Sequence, residues 1–164
     1  MSGADWPVDT TKVLAHWVAG DAFTEQLVDW ATRALTAGHD SPALRELAST
    51  DLEESPRLEG ISETFQRALD DLGIAMPEKQ DHLRRYLHLI AKQIVEGTVD
   101  PRSGVEEIHL RVLTPLEHPQ DLMSWCYLWE GNDARCTRPL EEGEVGGAIL
   151  GWARLWCERE SDRP

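Results

Sequence analysis

The sequence predicts an all-α protein: a single-domain helical bundle of about seven or eight helices, with no sheet expected. Three observations carry this expectation. Apolar residues recur at three- and four-residue intervals along most of the chain, and glycines, prolines and capping residues interrupt those runs at helix-length spacing. No stretch alternates apolar with polar residues long enough to make a strand. At 164 residues a chain can bury roughly 70% of its unfolded surface, enough for a core without disulfides.

The first helix is expected from about Thr10, with Val13, Leu14, Trp17 and Val18 on one face before Gly20. Asp21 then reads as a cap for a second helix, whose stripe is Phe23, Leu27, Trp30, Ala31, Ala34 and Leu35, closed by Gly38. Asp40-Ser41-Pro42 combines a capping oxygen with a proline suited to the first turn, so Leu44, Leu47 and Ala48 belong to a short third helix. Ser55-Pro56 repeats the signal, and Leu58, Ile61, Phe65, Ala68, Leu69 and Leu72 carry a fourth helix to Gly73. Gly60 weakens its first turns by about 1 kcal/mol relative to alanine. Ile74-Ala75-Met76-Pro77 is the one seam in the first half, too short and apolar to be a free linker.

The strongest periodic signal lies in residues 78–113. Leu83, Tyr86, Leu87, Ile90, Ala91, Ile94 and Val95 form one stripe, and Gly97 supplies a left-handed stop. Asp100 and Pro101 open a sixth helix whose inward residues are Val105, Ile108 and Val112. Beyond Leu113, Pro115, Pro119 and Pro139 break the chain and Gly131-Asn132-Asp133 marks a turn. A short helix fits Leu122, Met123, Trp125, Cys126 and Trp129. A last helix fits Val145, Ala148, Ile149, Trp152, Leu155 and Trp156, although Gly146, Gly147 and Gly151 lower its propensity. The expected organisation is one helical domain over 1–164: an acidic arm (1–77), a central helix pair (78–113) acting as spine, and a tryptophan-containing arm (114–164).

Net charge is −14 and unevenly spread. Residues 1–77 hold five basic against fourteen acidic side chains, residues 78–113 six against six, and residues 114–164 five against ten. Two acidic arms flank a neutral centre, which disfavours nucleic acid and anionic lipid as direct ligands, because those surfaces reward positive charge. The central cations Arg84, Arg85, Lys92 and Arg111 are expected to pair with the arms rather than form an anion strip. Cys126, Cys136 and Cys157 are odd in number and lack C-x-x-C spacing, so neither a disulfide framework nor a zinc knuckle is expected. With no leader pattern and no long apolar run, a cytoplasmic location is the expectation. Arginine outnumbers lysine 13 to 3, which suggests by association a GC-rich bacterial genome.

No motif for catalysis, metal or nucleotide stands out, so no enzyme activity, cofactor or metal site is expected. Glu106-x-x-His109 places a carboxylate and an imidazole on neighbouring turns, but a helix-bundle di-iron site needs a second copy, which the chain lacks. Cys126 lies in an aromatic run and reads as an inert buried thiol. Gly143, Gly146 and Gly147 sit among Glu141, Glu142 and Glu144, which would repel phosphate, so this segment reads as an acidic helix start. The seven tryptophans include two pairs at four-residue spacing, Trp125 with Trp129 and Trp152 with Trp156, suited to core or to a binding patch.

These features favour a small acidic protein-binding module, an inhibitor or immunity/antitoxin-type protein masking a basic partner such as a toxin or nuclease. The contact residues expected are Asp51, Glu53, Glu54, Trp125, Trp129, Glu141, Glu142 and Glu144. The alternative is a regulatory or sensory domain holding a small apolar ligand between helices near the tryptophans.

Overall fold

A computed structural model describes residues 8–20, 22–52, 58–76, 78–136 and 138–161. Among the described residues there are eight α-helices and no strand, so the fold is all-α. The chain divides into two compact units, Met1–Lys79 and Gln80–Pro164, two residues beyond the seam read at Ile74 to Pro77. The central helix pair therefore groups with the C-terminal arm.

In the first unit, α1 (Val8–Ala19), α2 (Thr24–Thr36), α3 (Pro42–Ala48) and α4 (Leu58–Asp71) pack in sequence order, α1 on α2, α2 on α3 and α3 on α4. Ser41 caps α3 as expected, its hydroxyl accepting the Leu44 N–H at 3.0 Å. Ala31, Ala34, Ala43 and Ala68 are buried, allowing close helix approach around Leu44, Leu47 and Phe65. Trp30 meets Phe65 edge-on at 5.2 Å and Trp17 tilts against the same ring at 4.9 Å. The Trp30 indole N–H donates to the Thr10 hydroxyl at 3.0 Å, which satisfies a polar atom that burial would otherwise penalise.

One helix start differs from the expectation. Phe23 is the N-cap of α2, with extended backbone, and its side chain is 61% exposed instead of joining the apolar stripe. The Gln26 side chain accepts the Phe23 N–H at 3.2 Å, half of a capping box. The caps read at Asp21 and at Ser55-Pro56 lie outside the described residues.

In the second unit, α5 (Lys79–Glu96) buries Leu83, Tyr86, Leu87, Ile90, Ala91 and Ile94, as its period predicts. Val95, at the edge of that stripe, is exposed. Gly97, at φ +74°, ends the helix in the left-handed conformation. Asp100 then caps α6 (Pro101–Ile108), accepting the Ser103 N–H at 3.1 Å. Gly104 lets α6 approach α5, since a Cβ there would lie 2.6 Å from Ile94 Cδ1.

The sixth helix was expected to run as α-helix to Leu113. Instead it widens into a π-helical turn over His109–Leu113. The Thr114 N–H and hydroxyl both donate to the His109 carbonyl at 3.0 Å, drawing that bond one residue too far along the chain. Pro115 has no N–H to claim the Arg111 carbonyl, so the regular ladder cannot resume. Val112 and Leu113 remain buried. A 3-10 turn (Gln120–Leu122) leads into α7 (Met123–Trp129), and α8 (Glu142–Ser161) completes the unit, packing on α6 and α7. Among the described residues, no helix is long and apolar enough to cross a membrane.

Candidate functional site

Of the expected contact residues, Asp51, Glu141, Glu142 and Glu144 are exposed, and Glu53 and Glu54 lie outside the described residues. Trp125 does not belong with them: it is 2% exposed and packs edge-on against Trp156 with centroids 6.3 Å apart. Trp129, four residues on, is 45% exposed. The equal spacing misleads because Trp129 is the last residue of a seven-residue helix, and the chain turns away at Gly131, φ +79°.

Glu144 is less available than its exposure suggests. Arg138 grips its two carboxylate oxygens at 2.8 and 2.9 Å, and the carboxylate also accepts the Glu141 N–H at 2.9 Å. Arg138 first, then that N–H, hold its pKa below the usual carboxylate range. The reading of Glu141 to Glu144 as an acidic helix start therefore matches the local geometry.

The central cations behave in part as expected. Arg84 makes a two-pronged pair with Asp121 of the C-terminal arm at 2.7 and 3.1 Å, whereas Lys92 reaches Glu96 of its own helix at 3.7 Å. In the first unit Arg33 pairs with Asp29, Arg45 with Asp40 and Arg67 with Glu46. Asp70 and Asp71 stay exposed in the last turn of α4, a turn without a basic residue of its own, with Arg67 just before it.

Trp152 belongs to a polar hub. Its indole N–H donates to Asp133 at 3.1 Å, and the Arg135 guanidinium lies 4.9 Å above its ring. Asp133 is buried and accepts from three Arg135 donors, the backbone N–H at 2.9 Å, Nε at 3.0 and 3.2 Å and Nη2 at 2.7 Å. These bonds, Arg135 foremost, hold the Asp133 carboxyl far below the usual range against the opposing effect of burial.

A second constellation escaped the sequence reading. His109, His118 and Cys126 each offer one ligand atom, all within 4.8 Å of one another. His109 opens the π turn, stacked face to face on Trp129 with centroids 3.8 Å apart and planes 4° from parallel. Its Nδ1 is buried with no hydrogen-bond partner among the described residues. His118 is exposed, its ring 5.4 Å from that of His109. Cys126 is buried on α7.

His118 reaches this position through backbone that L-residues seldom adopt: Glu117 and His118 have φ of +59° and +55°. The turn closes with the His118 N–H donating to the Leu113 carbonyl at 2.8 Å, an arrangement usually given to glycine. Burial, then the neighbouring His118, lower the His109 pKa, and burial, then Glu130, raise that of the Cys126 thiol. Two imidazoles and a cysteine sulfur are a donor set for a borderline or soft metal ion. Glu106, the sequence's partner for His109, is exposed on α6 and does not join the group.

Comparison with known proteins found no matching family model, no matching curated protein and no matching solved structure.

Proposed function

We propose that the chain is an acidic protein-binding module, an inhibitor or immunity-type protein whose negative surface captures a basic partner. The observation that carries this reading is the placement of acid where folding disfavours it. Asp70 and Asp71 stand exposed at the C-terminal end of α4, the negative end of the helix dipole. Each carboxylate there costs about 0.3–1 kcal/mol. The cations Arg33, Arg45 and Arg67 pair with Asp29, Asp40 and Glu46 of their own unit, and Arg67 also lines the cleft that holds Asp70 and Asp71, where acid outnumbers it. A basic partner would find an end with a surplus of acid, Glu46, Asp70 and Asp71 around Arg67, and complementary charge raises association rate more than it raises affinity.

The experiment is stopped-flow association of the purified chain with the product of each neighbouring gene, at low and at high salt. The reading expects one basic partner whose association slows as salt rises, and slows by a few-fold at low salt in the Asp70→Asn/Asp71→Asn variant. If no neighbouring product binds, and expression of the chain protects cells from none of them, the immunity reading is wrong.

A further inference from the structure

We propose that His109, His118 and Cys126 bind one transition-metal ion, with Zn2+ the preferred occupant. The three donors come from three separate pieces of chain: the π turn after α6, the left-handed turn before Pro119, and the interior of α7. One of those pieces departs from regular backbone at the ligand itself, His118, and another begins its π turn at the ligand His109.

The distances suit a single ion. Zn–N bonds of about 2.0–2.1 Å and a Zn–S bond of about 2.3 Å place ligand atoms roughly 3.3–3.6 Å apart in a tetrahedron. A spread within 4.8 Å therefore needs only a modest contraction. His118, exposed on its turn, is the ligand free to make it, while Cys126 is fixed in the core and His109 is clamped by the Trp129 ring. His109 also carries a buried Nδ1 with no hydrogen-bond partner among the described residues, and such a nitrogen is destabilising until something engages it.

The chemistry selects the ion. One thiolate and two imidazoles exclude Mg2+ and Ca2+, which want oxygen, and match Zn2+, with three protein ligands and a fourth position for water. Binding converts the Cys126 thiol to a metal-bound thiolate and releases one proton to solvent. Glu130, whose charge reaches both His109 and Cys126, partly offsets the positive charge left on the site.

The test uses the full-length chain freed of metal by chelator and dialysis. Titration with Co2+ is expected to produce a thiolate-to-cobalt charge-transfer band and the visible bands of tetrahedral cobalt, saturating at one ion per chain and displaced by Zn2+. Competition against a chromophoric chelator then gives the Zn2+ affinity. Cys126→Ser is expected to abolish the charge-transfer band, and His118→Gln to weaken Zn2+ binding by at least about tenfold, as loss of even an outer-shell partner typically does. Cys136→Ser and Cys157→Ser should leave the band intact. His118 is exposed, so His118→Gln stays informative should Cys126→Ser fail to fold. Absence of the band in the wild-type chain, its survival in folded Cys126→Ser, or unchanged Zn2+ affinity in His118→Gln would each overturn the proposal, the last by placing the ion on the acidic surface.

Discussion

Replacing Asp133 by asparagine should remove a large share of what holds the turn after α7 to α8, and the loss should depend on pH. The asparagine is nearly isosteric and keeps one acceptor oxygen, but it gives up the negative charge and the paired geometry with Arg135 Nε and Nη2. Hydrogen bonds to charged groups contribute about 1.5–3 kcal/mol. Removing one member of a fully buried pair costs about 3–5 kcal/mol, but that range is too high here. The Arg135 side chain is 46% exposed and can return its charge to water. A loss of about 1.5–3 kcal/mol at pH 7 follows. The native carboxyl titrates below its unfolded value of about 3.9, so its stabilisation is complete above that pH and fades as pH falls toward the native value. Urea unfolding followed by circular dichroism at pH 7 and pH 3 measures both quantities. The difference between wild type and Asp133→Asn should shrink at pH 3. An equal difference at the two pH values, or one below about 0.5 kcal/mol at pH 7, would refute an ionic origin for the hub.

Two glycines in helices should respond oppositely to alanine. Gly147→Ala in α8, where a Cβ meets nothing within 4 Å, should stabilise by about 0.5–1 kcal/mol. Gly104→Ala would press on Ile94 and should destabilise by about 1–2 kcal/mol once the helix-propensity gain is deducted, both read from urea midpoints. Asp70→Asn/Asp71→Asn should raise stability by about 0.5–2 kcal/mol at low salt while slowing capture of a basic partner, and a loss of stability would contradict the dipole argument. His118→Gly should stabilise the metal-free chain by about 0.5–1 kcal/mol, the relief of left-handed strain less the extra freedom of glycine in the unfolded chain.

Much of the fold is legible in the sequence wherever one local signal acts alone. The stripe from Leu83 to Ile94, the caps Ser41 and Asp100, and the stop at Gly97 are all realised because propensity, period and capping agree there. The His109, His118 and Cys126 group is not legible for a physical reason. Its residues are nine and eight apart, with Pro115 and Pro119 breaking the chain between them, so no one helix carries all three. They meet because Thr114 and Pro115 turn the helix into a π turn and because two residues other than glycine take positive φ. A histidine in left-handed backbone leaves no mark in composition. The tryptophan spacing failed differently: Trp125 and Trp129 both lie in α7, but Trp129 is its last residue, just before the chain turns at Gly131, and is 45% exposed where Trp125 is buried.

Strain and ligation coincide at His118, one of the two left-handed residues and one of the three ligands, and that coincidence bears on why this sequence keeps it. Two left-handed residues cost roughly 1–2 kcal/mol each, a sizeable part of the 5–15 kcal/mol by which a domain is stable. Glycine at 118 would relieve part of that cost and remove a ligand. An ion present at 100 times its Kd contributes about 2.7 kcal/mol to the folded form, of the same size as the strain. The wild-type chain and His118→Gly should therefore exchange rank. The glycine variant should be the more stable without metal, and the wild type the more stable with Zn2+ in excess. A glycine variant that stays ahead under both conditions would mean that the turn at His118 positions nothing, and that its strain serves only to reverse the chain before Pro119.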